Sequence, residues 1–133
     1  LIPFVRECAP QIVLTVHPDD YHPDHQAVSQ LVDKTVFVAG LKKHSSDNTT
    51  WHPRQFFYFC MDPRTNKKRP DIIVDISDVW EEKKKALDAH ASQQVTFAVE
   101  KWARYLGMLG NRFPYGEGLY LKQPLKISAI EKL

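Results

Sequence analysis

The sequence predicts an α/β fold, and three observations predict it. Short β-branched or aromatic runs alternate with longer stretches of helical apolar spacing along the 133 residues. The first such run, Gln11-Ile12-Val13-Leu14-Thr15-Val16, has the apolar, β-branched character of a strand buried on both faces of a parallel sheet. A loop rich in histidine, aspartate and proline, His17 to His25, follows it directly. In open α/β sheets ligands bind at that end of a strand.

The elements follow in order. Leu1 to Cys8 reads as the end of a helix stopped near Pro10. After the first strand and its loop, Gln26 to Leu41 places Val28, Leu31, Val32, Val36 and Ala39 at helical spacing, with Gly40 as a stop. Lys42 to Pro53 is polar and loop-like. Gln55-Phe56-Phe57-Tyr58-Phe59-Cys60 is an aromatic strand, and its rings on both faces suit packing against another subunit. Asp62 to Pro70 is a turn-rich loop, and Asp71 to Ile76 is a third strand. Ser77 or Asp78 is placed to cap a helix running to about Gln93, with Glu81 and Glu82 in its first turn. Val95 to Leu109 is a further helix, with Phe97, Val99, Trp102, Tyr105 and Leu106 supplying its apolar surface and Gly107 and Gly110 marking its end. The stretch Tyr115 to Tyr120 reads as a loop and then a short extended piece. Three strands make a thin sheet.

Composition bounds the function. Apolar content of 43% and charged content of 26% belong to an ordinary globular domain, and the length suits one. A net charge of +2 with no basic stripe gives no reason to expect a nucleic-acid partner. The clusters Lys67-Lys68-Arg69 and Lys83-Lys84-Lys85 read as solvated faces. No apolar run approaches the roughly 18 residues of a membrane span, so no membrane association is expected. Cys8 and Cys60 lie far apart with no CxxC spacing. Buried free thiols in a reduced, cytoplasmic protein are the simpler expectation.

The chemistry concentrates in nine residues, His17-Pro18-Asp19-Asp20-Tyr21-His22-Pro23-Asp24-His25, which hold three of the six histidines and three acids. Neutral imidazole and carboxylate suit zinc. His25, at a helix start, is placed to point over the strand end, and nearby acids could fix its tautomer. A polar loop leading into a capped helix accounts for the same residues without a metal. There is no nucleophile elbow around Ser29, Ser92 or the cysteines, and no glycine-rich phosphate loop.

Three stretches carry a resemblance. Pro10 to Thr15 followed by Asp20-Tyr21-His22-Pro23-Asp24-His25-Gln26-Ala27-Val28 resembles the second conserved block of PIG-L/LmbE-like N-deacetylases, in which a buried strand and a loop lead to HPDH at a helix start. Val74-Asp75-Ile76-Ser77-Asp78, Lys83 to Leu87 and Ala89-His90-Ala91-Ser92-Gln93 are similar to the family's "DIS…K…AL…SQ" stretch. Tyr115-Gly116-Glu117-Gly118 is similar to its "YAEGF" element. The matches fall in the family's order and span nearly the whole chain.

The resemblance implies a Rossmann-like three-layer fold, here as a C-terminal portion with an incomplete parallel sheet. Residues 1–133 would form a single partial domain lacking the first strand and its HPDD motif. It also implies one zinc ion, with His25 as a ligand and His22 stabilising charge on the amide oxygen during attack by metal-activated water. The implied substrate is a small N-acetylated amino sugar of the N-acetylglucosamine type, or a conjugate of one. His17-Pro18-Asp19-Asp20 has the HPDD spelling of the absent motif. Read literally, His17 and Asp20 would be ligands and Asp19 the base. The match of the residues after Thr15 to the approach to HPDH favours a chance likeness, with a minimal metal site of His17, Asp20 and His25 standing as a third possibility.

Other candidates are expected to be structural. His90 is expected in a pocket wall, Ser92 and Gln93 at a helix end, and His44 and His52 in solvent. Glu117 is a structural residue or a rim residue. Trp51 is the one tryptophan placed to stack on a sugar; Trp80 and Trp102 are core or interface anchors. Two functions of different class stand side by side: a zinc hydrolase, and a non-catalytic scaffold that keeps the fold and acts by association, with a homo-oligomer left open.

Overall fold

The computed structural model describes residues 1–44, 49–59, 69–90 and 92–125. Cys60, Lys67, Lys68 and Ala91 lie outside them. The element order is α1 (Ile2–Cys8), β1 (Ile12–Val16), α2 (Pro23–Ala39), β2 (Gln55–Phe59), β3 (Ile72–Asp75), α3 (Trp80–Asp88), α4 (Thr96–Leu109) and β4 (Gly116–Leu121), with short 3-10 turns at Lys42–His44 and Ser77–Val79. The strands form a sheet in the order β1-β2-β4-β3. β1 and β2 are parallel, Val16 standing opposite Phe59, while β3 and β4 are antiparallel, Ile73 opposite Gly118. The α/β class is as expected, but the sheet is mixed rather than parallel. Its fourth strand occupies the stretch read as a loop and an extended piece.

The glycines of β4 explain that miss. Glycine weakens a strand reading, yet neighbouring atoms leave a side chain little room at either position. A Cβ at Gly116 would stand 2.8 Å from the Gly107 nitrogen, and one at Gly118 would stand 3.0 Å from Pro70.

The chain divides into two compact units, Leu1–Lys67 with Tyr120–Leu133, and Lys68–Leu119. In the first, Phe56, Tyr58 and Tyr120 form the core, with Val13, Val32 and Val36 packed on them. The aromatic strand is thus consumed inside the chain. Phe56, Phe57 and Tyr58 are all buried and offer no face to another subunit. The Tyr58 hydroxyl donates to Asp33 at 2.9 Å, and Lys122 pairs with Asp33 at 2.7 Å. Burial first, and then this carboxylate, push the Tyr58 phenol well above its ordinary value.

β1 is not buried on both faces: Val13 turns to the core while Ile12 and Leu14 are more than half exposed. Helix α2 starts three residues earlier than expected and is turned on its axis. Val28 and Leu31 are exposed, and the inward stripe is His25, Ser29, Val32, Val36 and Ala39, at the 4-3-4-3 spacing of one helix face. Arg6 closes the far end of this helix. Its guanidinium donates to the carbonyls of Ala39 (3.1 Å), Val38 (3.4 Å), Leu41 (3.0 Å) and His44 (2.7 Å).

In the second unit, Ile76, Trp80 and Ala103 form the core with Val99 and Tyr115, and Trp80 stacks on Tyr115 at 4.2 Å. Phe97 and Tyr105 face solvent instead. Neither Ser77 nor Asp78 caps α3: its N-cap is Val79, with no side-chain cap bond, and ahead of it a turn is closed instead by Asp75. Its Oδ1 accepts from the Ser77 hydroxyl (2.6 Å) and amide (2.9 Å), which holds its carboxyl below the usual carboxylate range. Helix α3 ends at Asp88, short of Gln93, and Gln94 takes a left-handed backbone with φ 46°. Among the described residues no helix is long and apolar enough to cross a membrane.

Candidate functional site

The histidine loop begins as an extension of the sheet. The His17 amide donates to the Phe59 carbonyl at 2.9 Å, continuing the β1–β2 ladder by one residue. The chain then turns, the Asp20 amide donating back to the His17 carbonyl at 3.1 Å, and α2 starts at Pro23. Proline suits a first helical position because its missing N–H would have no partner there. The loop therefore sits at the C-terminal end of two parallel strands.

Asp20 is the buried centre of this turn, only 1% exposed. Its Oδ1 accepts from the His22 amide at 2.9 Å and lies 3.1 Å from His25 Nδ1. Its carbonyl accepts from the Gln26 side chain at 2.6 Å. Its Oδ2 is buried with no hydrogen-bond partner, and so are His25 Nδ1 and, one helical turn further on, Ser29 Oγ. The Nδ1–Oδ1 contact is thus close but off the hydrogen-bond line, so its attraction is electrostatic. A carboxylate kept from water costs energy unless a partner compensates it.

His22 and His25 stack, their ring centroids 4.8 Å apart and their planes at 29°. The two rings are held in opposite senses. His22 is the N-cap of α2, and its Nδ1 accepts from the Asp24 amide at 3.2 Å. In the neutral ring the proton then sits on Nε2, which can donate. His25 Nδ1 faces a carboxylate oxygen that can only accept, which favours the proton on Nδ1 and a lone pair on Nε2. Adjacent rings thus present one donor and one acceptor.

The literal HPDD reading fares differently residue by residue. His17 Nδ1 accepts from the Asp19 amide at 3.1 Å, and its ring is set edge-on to Tyr58 and Tyr120 at 5.5 and 5.0 Å. The Asp19 carboxylate points to solvent. Asp20 turns to His25. Among the described residues no three His, Cys, Asp or Glu side chains converge as a metal-binding group. His25 has the nitrogen a zinc ion would need, and a full ligand set needs donors beyond those brought together here.

The remaining candidates lie elsewhere. Trp51 is buried, its amide donating to the Ala39 carbonyl, so it is core and not a sugar platform. His44, His52 and His90 are exposed as surface residues. Ser92 is exposed, and the Gln93 amide closes a turn on His90. Glu117 pairs with Lys83 at 2.6 Å. A cavity of about 180 Å³ lined by Val36, His52, Arg54, Phe56 and Lys122 opens at the start of β2, the opposite end from the histidines. Sequence reasoning named Asp20 only as a possible ligand and did not single it out among the acids beside His25. Its signal was an aspartate two residues before a helix cap, where the side chain accepts the cap amide.

No family model matches the sequence. Solved structures do resemble the fold. The conserved protein TT1542 from Thermus thermophilus superposes with a TM-score of 0.80 at 27% identity, over 95% of this chain and 57% of that one. GalB, the 4-carboxy-2-hydroxymuconate hydratase from Pseudomonas putida, gives 0.79 at 20% identity, over 96% and 58%. The N,N'-diacetylchitobiose deacetylase from Pyrococcus horikoshii, complexed with its inhibitor MPG, gives 0.73 at 22% identity, over 90% and 48%. The chain spans little more than half the length of the first two. A hydratase and a deacetylase share this fold, so the fold alone does not fix the reaction.

Proposed function

We propose that this chain carries part of the site of a zinc-dependent N-deacetylase that removes acetyl from an N-acetylglucosamine-type substrate or its conjugate. The observation that carries the proposal is the stacked pair at the end of β1, with a donor nitrogen on His22 beside an acceptor nitrogen on His25. His25 would hold the metal through Nε2. When bound, zinc supplies Lewis-acid activation of water toward the amide. His22 donates from Nε2 to the amide oxygen and stabilises the charge that develops there as the carbonyl is attacked. The HPDH loop, through its resemblance to PIG-L/LmbE-like deacetylases, supports this reading over hydration, while the solved neighbours include both activities. A reducing, cytoplasmic setting goes with it.

A second reading takes the same fold without a working metal site. In it the chain keeps the scaffold and works by association. Zinc titration of the chain, with His25→Ala beside it and acetate release measured from N-acetylglucosamine conjugates, separates the two. On the deacetylase reading, whatever zinc the chain takes up is expected to be lost in His25→Ala. Where acetate is released, that reading expects at least a hundredfold loss in His22→Ala. Zinc uptake unaffected by His25→Ala removes it.

A further inference from the structure

We propose that Asp20 is the positioning residue of this site, holding His25 with its proton on Nδ1 so that Nε2 presents a lone pair. Three observations meet here. The Asp20 side chain is fully buried, so its charge is not screened by water. Its Oδ1 lies 3.1 Å from His25 Nδ1, an atom that is itself buried and has no other partner. The His25 side chain as a whole is 32% exposed while its Nδ1 is buried, so the accessible part of the ring lies away from that atom.

The physical choice is between two neutral tautomers. With the proton on Nε2, the Nδ1 lone pair would face a carboxylate oxygen inside van der Waals range, and both would be electron-rich. With the proton on Nδ1, the same distance becomes an attraction, stronger for lying out of water. His22, a stacking distance away, is fixed in the other tautomer by the Asp24 amide. The turn thus sets two identical side chains into complementary roles. Asp20 also takes the His22 amide on the same Oδ1, so one carboxylate orders both the cap and the ring. This is the arrangement that orients ligand histidines generally, and losing the carboxylate typically costs ten- to a hundredfold in metal affinity.

What Nε2 then does rests on the deacetylase reading; the tautomer does not. The test is the long-range proton–nitrogen spectrum of the metal-free chain, labelled with nitrogen-15 at histidine, near pH 8. The expected result is His25 with a protonated Nδ1 and a bare Nε2, and His22 with the reverse. His25 protonated on Nε2 overturns the proposal with no variant needed. In Asp20→Asn, an oxygen kept at the Oδ1 position still takes the His22 amide and faces His25 Nδ1, but without the negative charge, and the NH2 takes the place of the unpartnered Oδ2. The Nδ1–H form of His25 is therefore expected to lose population to the Nε2–H form, with His22 unchanged. Wild-type tautomer populations at His25 in a folded variant overturn the proposal, whereas a purely structural role for Asp20 would not move the tautomer. Zinc is then added. A shift of His25 Nε2 with affinity ten- to a hundredfold weaker in Asp20→Asn supports both readings. A wild type with the predicted tautomer but unmoved by zinc leaves the Asp20 assignment standing and removes the reading that His25 of this chain by itself holds the metal.

Discussion

The two ends of helix α2 are built on opposite terms. At its C-terminus, Arg6 reaches across from α1 and donates to four carbonyls, those of Val38, Ala39, Leu41 and His44. The helix end, which leaves carbonyls without intrahelical partners, is closed by a positive charge where the helix dipole favours one. At its N-terminus the same helix keeps three buried polar atoms without hydrogen-bond partners, Asp20 Oδ2, His25 Nδ1 and Ser29 Oγ. The closed end has no spare bonding capacity and is a stability device. The open end retains capacity at a cost, and such unsatisfied polar groups are the ones that need a functional account.

The largest expected effect comes from breaking the closed end. Arg6→Ala removes all four contacts and leaves carbonyls to find water. It is expected to lower stability by about 2 kcal/mol, given that hydrogen bonds from charged donors are worth about 1.5–3 kcal/mol each when well placed and part of this set is exposed. Urea unfolding of the variant measures it. Arg6→Lys keeps the charge but loses the planar fork, and should recover less than half of the difference. A loss below about 0.5 kcal/mol would mean that the carbonyls are adequately solvated and that the two ends are less different than their geometry implies.

A smaller effect is expected at the open end. His22→Ala deletes the side chain that accepts the Asp24 amide, and N-cap loss costs about 1 kcal/mol. His22→Asn keeps a cap acceptor while removing the ring. Unfolding midpoints should therefore fall for alanine and stay near wild type for asparagine, although both lose the ring stacked on His25. Equal stability in all three proteins would show that the ring does not cap the helix, and the tautomer assigned to His22 would lose its support.

The same contrast explains what was legible in the sequence. The existence of α2 could be read from apolar spacing. That spacing places its start at Gln26, three residues late, although Pro23 fits a first helical position. Its orientation could not be read. Val28 and Leu31 looked inward by hydrophobicity, but the Asp20 turn and the Gln26 bond to the Asp20 carbonyl fix the first turn of the helix. His25 and Ser29 then face in, and the two large apolar side chains face out. Periodicity reports which residues can share a face, and here short polar contacts at one end decide which face is buried. β1 was legible as a strand but not as half-exposed, because one apolar run suits a strand with one or two covered faces. His22 and His25 could be named from their spelling, whereas the place of Asp20 between them depends on a turn that spelling does not encode. Trp51 shows the converse, a loop aromatic that by sequence is the best of the three tryptophans for stacking on a sugar and is spent in the core.

The smallest expected effect sharpens the comparison most. Ser29 Oγ is buried on the inward stripe of α2 and has no hydrogen-bond partner. An unpaired hydroxyl out of water is a cost, and alanine is the better helix former by a few tenths of a kcal/mol. Ser29→Ala should therefore leave stability unchanged or raise it by up to about 1 kcal/mol, the reverse of the usual sign for a buried substitution. Ser29→Val would not repeat the result, because its added bulk must be packed against the sheet. Paired urea curves for wild type and Ser29→Ala suffice. A loss of more than about 0.5 kcal/mol would mean that the hydroxyl is bonded in solution. The N-terminal end of α2 would then be a closed network like the other, and the orphaned atoms beside His25 would cease to mark a site.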